Sequence, residues 1–215
     1  MNMPRNADGQ SGSPIPPEIQ HQLRMVFDQL PNTVPLYLFT QEGNNDVYNH
    51  AAQEVVRSFA ALGSKVELHE FGLDHELAKK YQVDTSPSVL FDPENYSIRF
   101  LGAPIGEEGR TLLEAVVLIG LRKSNLSEQS FKIIEKVNSP RKVKVFSSPT
   151  CPYCPQQAVN AIKAAIAKPE LISLEIVDIQ ANPHLADLYS AHSVPQTFAN
   201  DVLIFSRERM KSSSG

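Results

Sequence analysis

The feature that most restricts the fold of this chain is an internal repeat. At an offset of 108 residues, Glu67 falls on Glu175, Leu77 on Leu185, Ala78 on Ala186, Tyr81 on Tyr189 and Pro87 on Pro195. Identities this sparse carry modest weight alone; agreement in the order of elements makes them a repeat. In the first copy an amphipathic helix from Pro17 carries Ile19, Leu23, Val26, Phe27 and Leu30. Leu36 to Phe39 is a buried-strand signal. Val47 to Leu62 follows as a helix with Ala51, Val55, Phe59 and Leu62 on one face, closed by Gly63. Lys65 to Phe71 is a strand, and Asp74 caps a short helix bearing Leu77, Ala78 and Tyr81. Ser86 to Phe91 and Ile98 to Leu101 pair as strands, and Glu107 to Leu121 is an apolar helix.

The second copy runs in the same order. Ser127 caps a helix through Val137 with Phe131, Ile134 and Val137 inward, and Val143 to Phe146 is a strand. The Ala-rich helix after it turns Ala158, Val159, Ile162, Ala165 and Ile166 to the core. Leu174 to Ile179 is a strand, Asn182-Pro183 opens a short helix bearing Leu185, Leu188 and Tyr189, and strands begin at Val194 and Val202. The expectation is an α/β protein of two tandem units, each a mixed central sheet flanked by helices. A chain of 215 residues suits two domains. Residues 1–16, polar and rich in Gly, Ser and Pro, read as a flexible tail, 17–122 as the first unit and 123–215 as the second. After Phe205 the second copy has no counterpart of the helix carrying Leu112, Leu113, Val116, Val117 and Ile119. At about 1.5–3 kcal/mol per buried large apolar side chain, that is a loss of several kcal/mol. The second unit is therefore expected to lack its final helix, as a fragment, a frameshifted product or a fold completed by a partner.

The chain's only two cysteines, Cys151 and Cys154, stand as Cys-Pro-Tyr-Cys-Pro between the strand and the Ala-rich helix. A pair spaced this way at a helix start can close a disulfide with little backbone movement. Exposed N–H groups and the positive helix end favour thiolate at Cys151, with pKa values at such sites of roughly 3.5–7.5 against ~8.5 for a free thiol. Cys154, a turn further in, is placed to attack a mixed disulfide at Cys151. Pro152 suits the first helical position, where no N–H is needed. Pro155 would then cost a helical bond and predicts an irregular first turn. A structural zinc needs four ligands; no second cysteine pair exists, and His184 and His192 are spaced too widely, so no metal is expected. Buried, inert cysteines fit poorly with an intervening Pro152 and Tyr153.

Several function classes drop out. A net charge of −4 with scattered basic residues argues against nucleic acid. No apolar run approaches the ~20 residues of a membrane span, and the N-terminus resembles no signal peptide. The expected address is the cytoplasm, where a lone cysteine pair is catalytic more often than structural. The Gly102 to Gly109 stretch lacks the Lys-Ser/Thr of a phosphate cradle and reads as a plain loop. No cysteine precedes Cys151, so the first copy, with Thr40-Gln41-Glu42-Gly43 at the matching place, can serve only as scaffold or docking surface.

The strand Val143-Lys144-Val145-Phe146, the string Cys151 to Pro155, Ser193-Val194-Pro195, and Arg99 to Gly106 of the first copy carry a resemblance. The chain resembles the tandem thioredoxin-fold proteins: glutaredoxin-like protein disulfide oxidoreductases, and the N-terminal domain of the alkyl hydroperoxide reductase flavoprotein subunit. The resemblance implies Cys151 as nucleophile, Cys154 as resolving thiol and Pro195 as a cis-proline facing them. Pro152, Tyr153, Val194 and Pro195 then contact substrate. It implies a protein disulfide as substrate, no cofactor held by this chain, and an external reductant such as a flavoprotein disulfide reductase. A non-catalytic docking module for a peroxiredoxin or flavoprotein reductase is the alternative. The strand before the cysteines lacks the buried acid of thioredoxins, which leaves Glu175 as the one candidate for proton handling. The Gly-Gly turn and acidic residues that bind glutathione in glutaredoxins are missing.

Overall fold

The computed structural model describes residues 13–207. Residues 1–12 of the expected tail lie outside them. Ile15, at the tail's end, is buried in the core, and its carbonyl accepts a hydrogen bond from Gln20 Nε2 at 2.7 Å. The first copy folds as α1 (Pro17–Asp28), β1 (Val34–Thr40), α2 (Asp46–Ala60), β2 (Val66–Gly72), α3 (Glu76–Lys80), β3 (Ser88–Phe91), β4 (Ile98–Leu101) and α4 (Glu108–Leu121). The second follows as α5 (Glu128–Ile134), β5 (Arg141–Ser147), α6 (Cys154–Ala167), β6 (Ile172–Asp178), α7 (Pro183–Leu188), β7 (Gln196–Ala199) and β8 (Val202–Ser206). β1 pairs parallel with β2 and antiparallel with β3, which pairs antiparallel with β4; β5 repeats the scheme with β6, β7 and β8. Among the described residues no helix is long and apolar enough to cross a membrane.

Two sheets were expected, and the structure has one. β4 pairs parallel with β6, so eight strands run in the order β2-β1-β3-β4-β6-β5-β7-β8. The register sets Ile98 opposite Leu174 and Phe100 opposite Ile176, all at most 2% exposed. Each strand would otherwise leave an apolar edge with unpaired backbone groups, and the joint satisfies both at once. α4 packs on α6 over this joint. The largest apolar cluster therefore runs from Phe27, Leu36 and Phe59 of the first unit to Ala158, Ile162 and Ile166 of the second, beside smaller clusters around Phe39 and Leu90 and around Phe146 and Val177.

Some local expectations need correcting. α3 is capped by His75, whose Nδ1 accepts from the Leu77 N–H at 3.2 Å, and not by Asp74. Phe131, expected inward, is exposed, because α5 is a short peripheral helix with no fully buried residue. Ile19 and Val26 lie outside the buried stripe of α1, which is formed by Leu23 and Phe27.

Candidate active site

β5 delivers the chain to the cysteine loop at the carboxyl end of the sheet. Cys151 and Cys154 are joined in a disulfide with Cα atoms 5.5 Å apart. The Cys151 N–H donates to Ser148 O at 3.0 Å, and the Cys154 N–H donates to Cys151 O at 3.3 Å. Regular helix starts only at Cys154, with Tyr153 as cap and Pro155 in the first turn. Pro152 therefore lies in the preceding turn and not at the first helical position. The later start resolves both prolines: neither stands where an intrahelical bond is required. The expected irregularity before the helix is present.

Exposure divides the pair. Cys151 keeps 8% of its surface and Cys154 none, while Tyr153 between them is 52% exposed. The reading that Pro152 and Tyr153 argue against buried cysteines is corrected: the two intervening side chains face solvent, and the thiols turn inward. Cys154 lies on the same face of α6 as Ala158 and Ile162, both fully buried. Register brings the other side of the site into place. Phe146 of β5 lies opposite Gln196 of β7, directly after the Val194–Pro195 peptide, which is cis as expected. Gln157 Nε2 donates to Thr197 Oγ1 at 2.8 Å and ties α6 to β7. Pro152, Tyr153, Val194 and Pro195 are thus gathered at the same end of the sheet as the disulfide.

Two carboxyl groups that went unrecognised in the sequence lie beneath this loop. Glu108, at the start of α4, and Asp178, at the end of β6, are fully buried. Burial pushes both carboxyls above the ordinary carboxylate range, and their mutual repulsion raises Glu108 further. The N–H of Gln180 donates to Asp178 Oδ1 at 2.9 Å. Asp178 Oδ2, both Glu108 carboxyl oxygens, Ser147 Oγ and Thr111 Oγ1 have no hydrogen-bond partner among the described residues. The Ser147 hydroxyl lies beside Glu108 and favours its ionised form, but without hydrogen-bond geometry. One signal could have found Glu108: it shares the helical face of Thr111, Leu112, Ala115 and Ile119, all buried. Glu175, the sequence-based candidate for proton handling, forms an ion pair with Lys144 and is partly exposed. The charge of β6 that points to the core is Asp178.

The first unit reaches this site through the glycine stretch read as a plain loop. Gly102 has φ +126°, and a Cβ there would lie 2.7 Å from Asp178 Cβ. Gly106 has φ +57°, and a Cβ there would lie 2.5 Å from Pro149 O. The Glu107 N–H donates to Pro149 O at 2.9 Å. Only residues without a side chain allow the loop this close to the backbone leading to Cys151.

At the matching place in the first unit, amides and hydroxyls replace thiols. Ser86 Oγ donates to Asn49 Oδ1 at 2.7 Å and accepts from the Gln41 N–H at 2.8 Å, beside a second cis peptide, Ser86–Pro87. Asn45 Nδ2 donates to Ser86 O and, across the joint, to Ala181 O, each at 3.0 Å. The loop is closed upon itself and upon its neighbour.

Comparison with known proteins bears on both halves. A family model described as a thioredoxin domain matches residues 141–208. A probable thioredoxin of Methanothermobacter marburgensis is 36% identical over 64 residues, 30% of this chain and 75% of that protein. The thioredoxin of Methanocaldococcus jannaschii is 30% identical over 59 residues, 27% of this chain and 69% of that protein. The structure of the alkylhydroperoxide reductase AhpF of Enterococcus faecalis matches with a TM-score of 0.78 at 30% identity, covering 93% of this chain and 97% of that one. A protein disulfide oxidoreductase from Aeropyrum pernix has the same fold, with a TM-score of 0.77 at 22% identity, covering 92% and 91%.

Proposed function

This chain belongs to the thioredoxin family as two tandem thioredoxin-like units, and from that premise we propose that it is a thiol–disulfide oxidoreductase whose chemistry resides in the second unit. The observation that carries the reading is the unequal burial of a bonded cysteine pair at a helix start, 8% exposed for Cys151 and 0% for Cys154. In the reduced protein the Cys151 thiolate attacks one sulfur of a substrate disulfide. That S–S bond breaks, and the departing sulfur leaves as a thiolate that takes up a proton. Cys154 then loses its proton and attacks the Cys151 sulfur, releasing the second substrate sulfur and closing Cys151–Cys154. Two electrons pass from the cysteine pair to the substrate. In the oxidised protein an incoming thiolate reaches Cys151 only, because Cys154 is sealed.

Val194 and Pro195 supply backbone to the substrate, and Pro152 and Tyr153 form the opposite rim. Glu108, whose carboxyl burial and Asp178 push upward, and Asp178 beside it serve as the proton-handling groups under the loop. The first unit acts as scaffold through Gly102, Gly106 and Asn45. Electrons return from an external reductant, a flavoprotein disulfide reductase by the likeness to AhpF, and a single cysteine pair suits a reducing cytoplasm. Turnover of insulin or of a mixed-disulfide peptide, with dithiothreitol as electron source, tests the reading. Cys151→Ser abolishes turnover, and Cys154→Ser accumulates a mixed disulfide at Cys151. Turnover unchanged in Cys151→Ser overturns the reading, and partner capture without any turnover favours a docking module.

A further inference from the structure

Among the described residues, the site carries one cation that the exchange chemistry does not use. β8 lies antiparallel to β7 with Ser206 opposite Gln196, and β7 lies antiparallel to β5 with Gln196 opposite Phe146. One residue past this shared row, the three strands put the start of the cysteine loop, Pro195 and Arg207 at one end of the sheet. There the Arg207 guanidinium lies over the Tyr153 ring, its carbon 3.3 Å from the ring centroid. Tyr153 is the exposed residue between the two thiols, so this contact pins a positive charge at the lip of the disulfide. Such a contact to an exposed aromatic orients the group while leaving its N–H edge free to bind.

The surroundings make this charge stand out. Residues 147–160 contain no Asp, Glu, Lys or Arg, and residues 189–199 contain no charged side chain apart from His192. His192 is turned toward Asp187, 3.9 Å away. Glu107 comes from the first unit and meets the loop at Pro149, on its other flank. Glu108 and Asp178 are buried below. Among the described residues no carboxylate forms an ion pair with Arg207.

We propose that Arg207, held on Tyr153, is a substrate-recognition residue that binds a carboxylate carried next to the reacting sulfur of the disulfide partner. The inference rests on the oxidoreductase reading and narrows its substrates to disulfides with an anionic flank. Guanidinium matches carboxylate with two parallel N–H donors, which lysine cannot do. Two sources offer that chemistry: the carboxylates of glutathione disulfide, or an Asp or Glu beside a cysteine in a protein.

The test compares kcat and KM of wild type, Arg207→Gln and Arg207→Lys on four disulfides. These are glutathione disulfide, neutral hydroxyethyl disulfide, and a peptide disulfide flanked by Asp or by Asn. For Arg207→Gln, the selectivity (kcat/KM for an anionic disulfide divided by that for hydroxyethyl disulfide) falls roughly threefold to tenfold, through KM. Arg207→Lys keeps part of it, and salt at about 0.5 M erases most of the wild-type preference. A fall confined to glutathione disulfide identifies a small-molecule partner; one confined to the Asp peptide identifies an acidic protein segment. Equal losses on every disulfide, or none on the anionic ones, overturn the assignment. Absence of turnover by wild type on all four disulfides and on insulin would instead defeat the oxidoreductase reading itself.

Discussion

Glu108 is a fully buried carboxyl with no hydrogen-bond partner among the described residues, 3 residues before the similarly orphaned Thr111 hydroxyl. Its pKa is raised by burial and by Asp178, so the folded protein holds a proton that the unfolded chain has already released. The folded state then binds more protons than the unfolded one, and stability must fall as pH rises. The contribution is fully present below the ordinary carboxylate pKa of about 4.3 and is lost as pH climbs through the raised folded value. Glu108→Gln removes the group that must ionise. Urea unfolding should show it close to wild type at pH 4 and progressively more stable than wild type up to pH 8, by at most about 1.4 kcal/mol per pH unit. A variant that tracks wild type at both pH values would show that Glu108 keeps an ordinary pKa.

At the scale of elements, the loop from Gly102 to Gly106 connects the halves. Gly102→Ala places a Cβ at φ +126° and 2.7 Å from Asp178 Cβ. The expected cost is about 2–4 kcal/mol, from backbone strain and overpacking together. The urea midpoint reports it, and a shift within error of zero would mean the loop simply moves aside. This loop also marks the limit of what the sequence made legible. Periodicity located Val143 to Phe146, Ile98 to Leu101 and the core face of α6, because those signals are local and repeat every two or three to four residues. The cysteine pair was legible because its chemistry is written in consecutive residues, and the cis peptide at Pro195 was legible through the family resemblance. The β4–β6 joint was not, since strand edges carry no pattern of their own. Asp178, Glu108 and Arg207 gain their roles only when segments distant in sequence meet across that joint or across β7.

For the molecule as a whole, one sheet and the largest apolar cluster span both units, so the halves should unfold together. Phe100 and Ile176 face each other in the joint, both at 0% exposure. Phe100→Ala should cost about 3–5 kcal/mol. In wild type, far-UV circular dichroism and the reactivity of the reduced cysteines should report one coincident unfolding transition. Separate transitions would show two independent domains. The shared architecture serves one sulfur, and the claim at its centre is that Cys151, at the mouth of α6, is the anionic and accessible member of the pair. Measuring the rate of iodoacetamide reaction with each thiol of the reduced protein from pH 4 to 10, by mass spectrometry, tests this most directly. The account predicts that Cys151 reacts first and titrates well below the ~8.5 of a free thiol. Reaction at Cys154 first, or both thiols titrating near the free value, would contradict it.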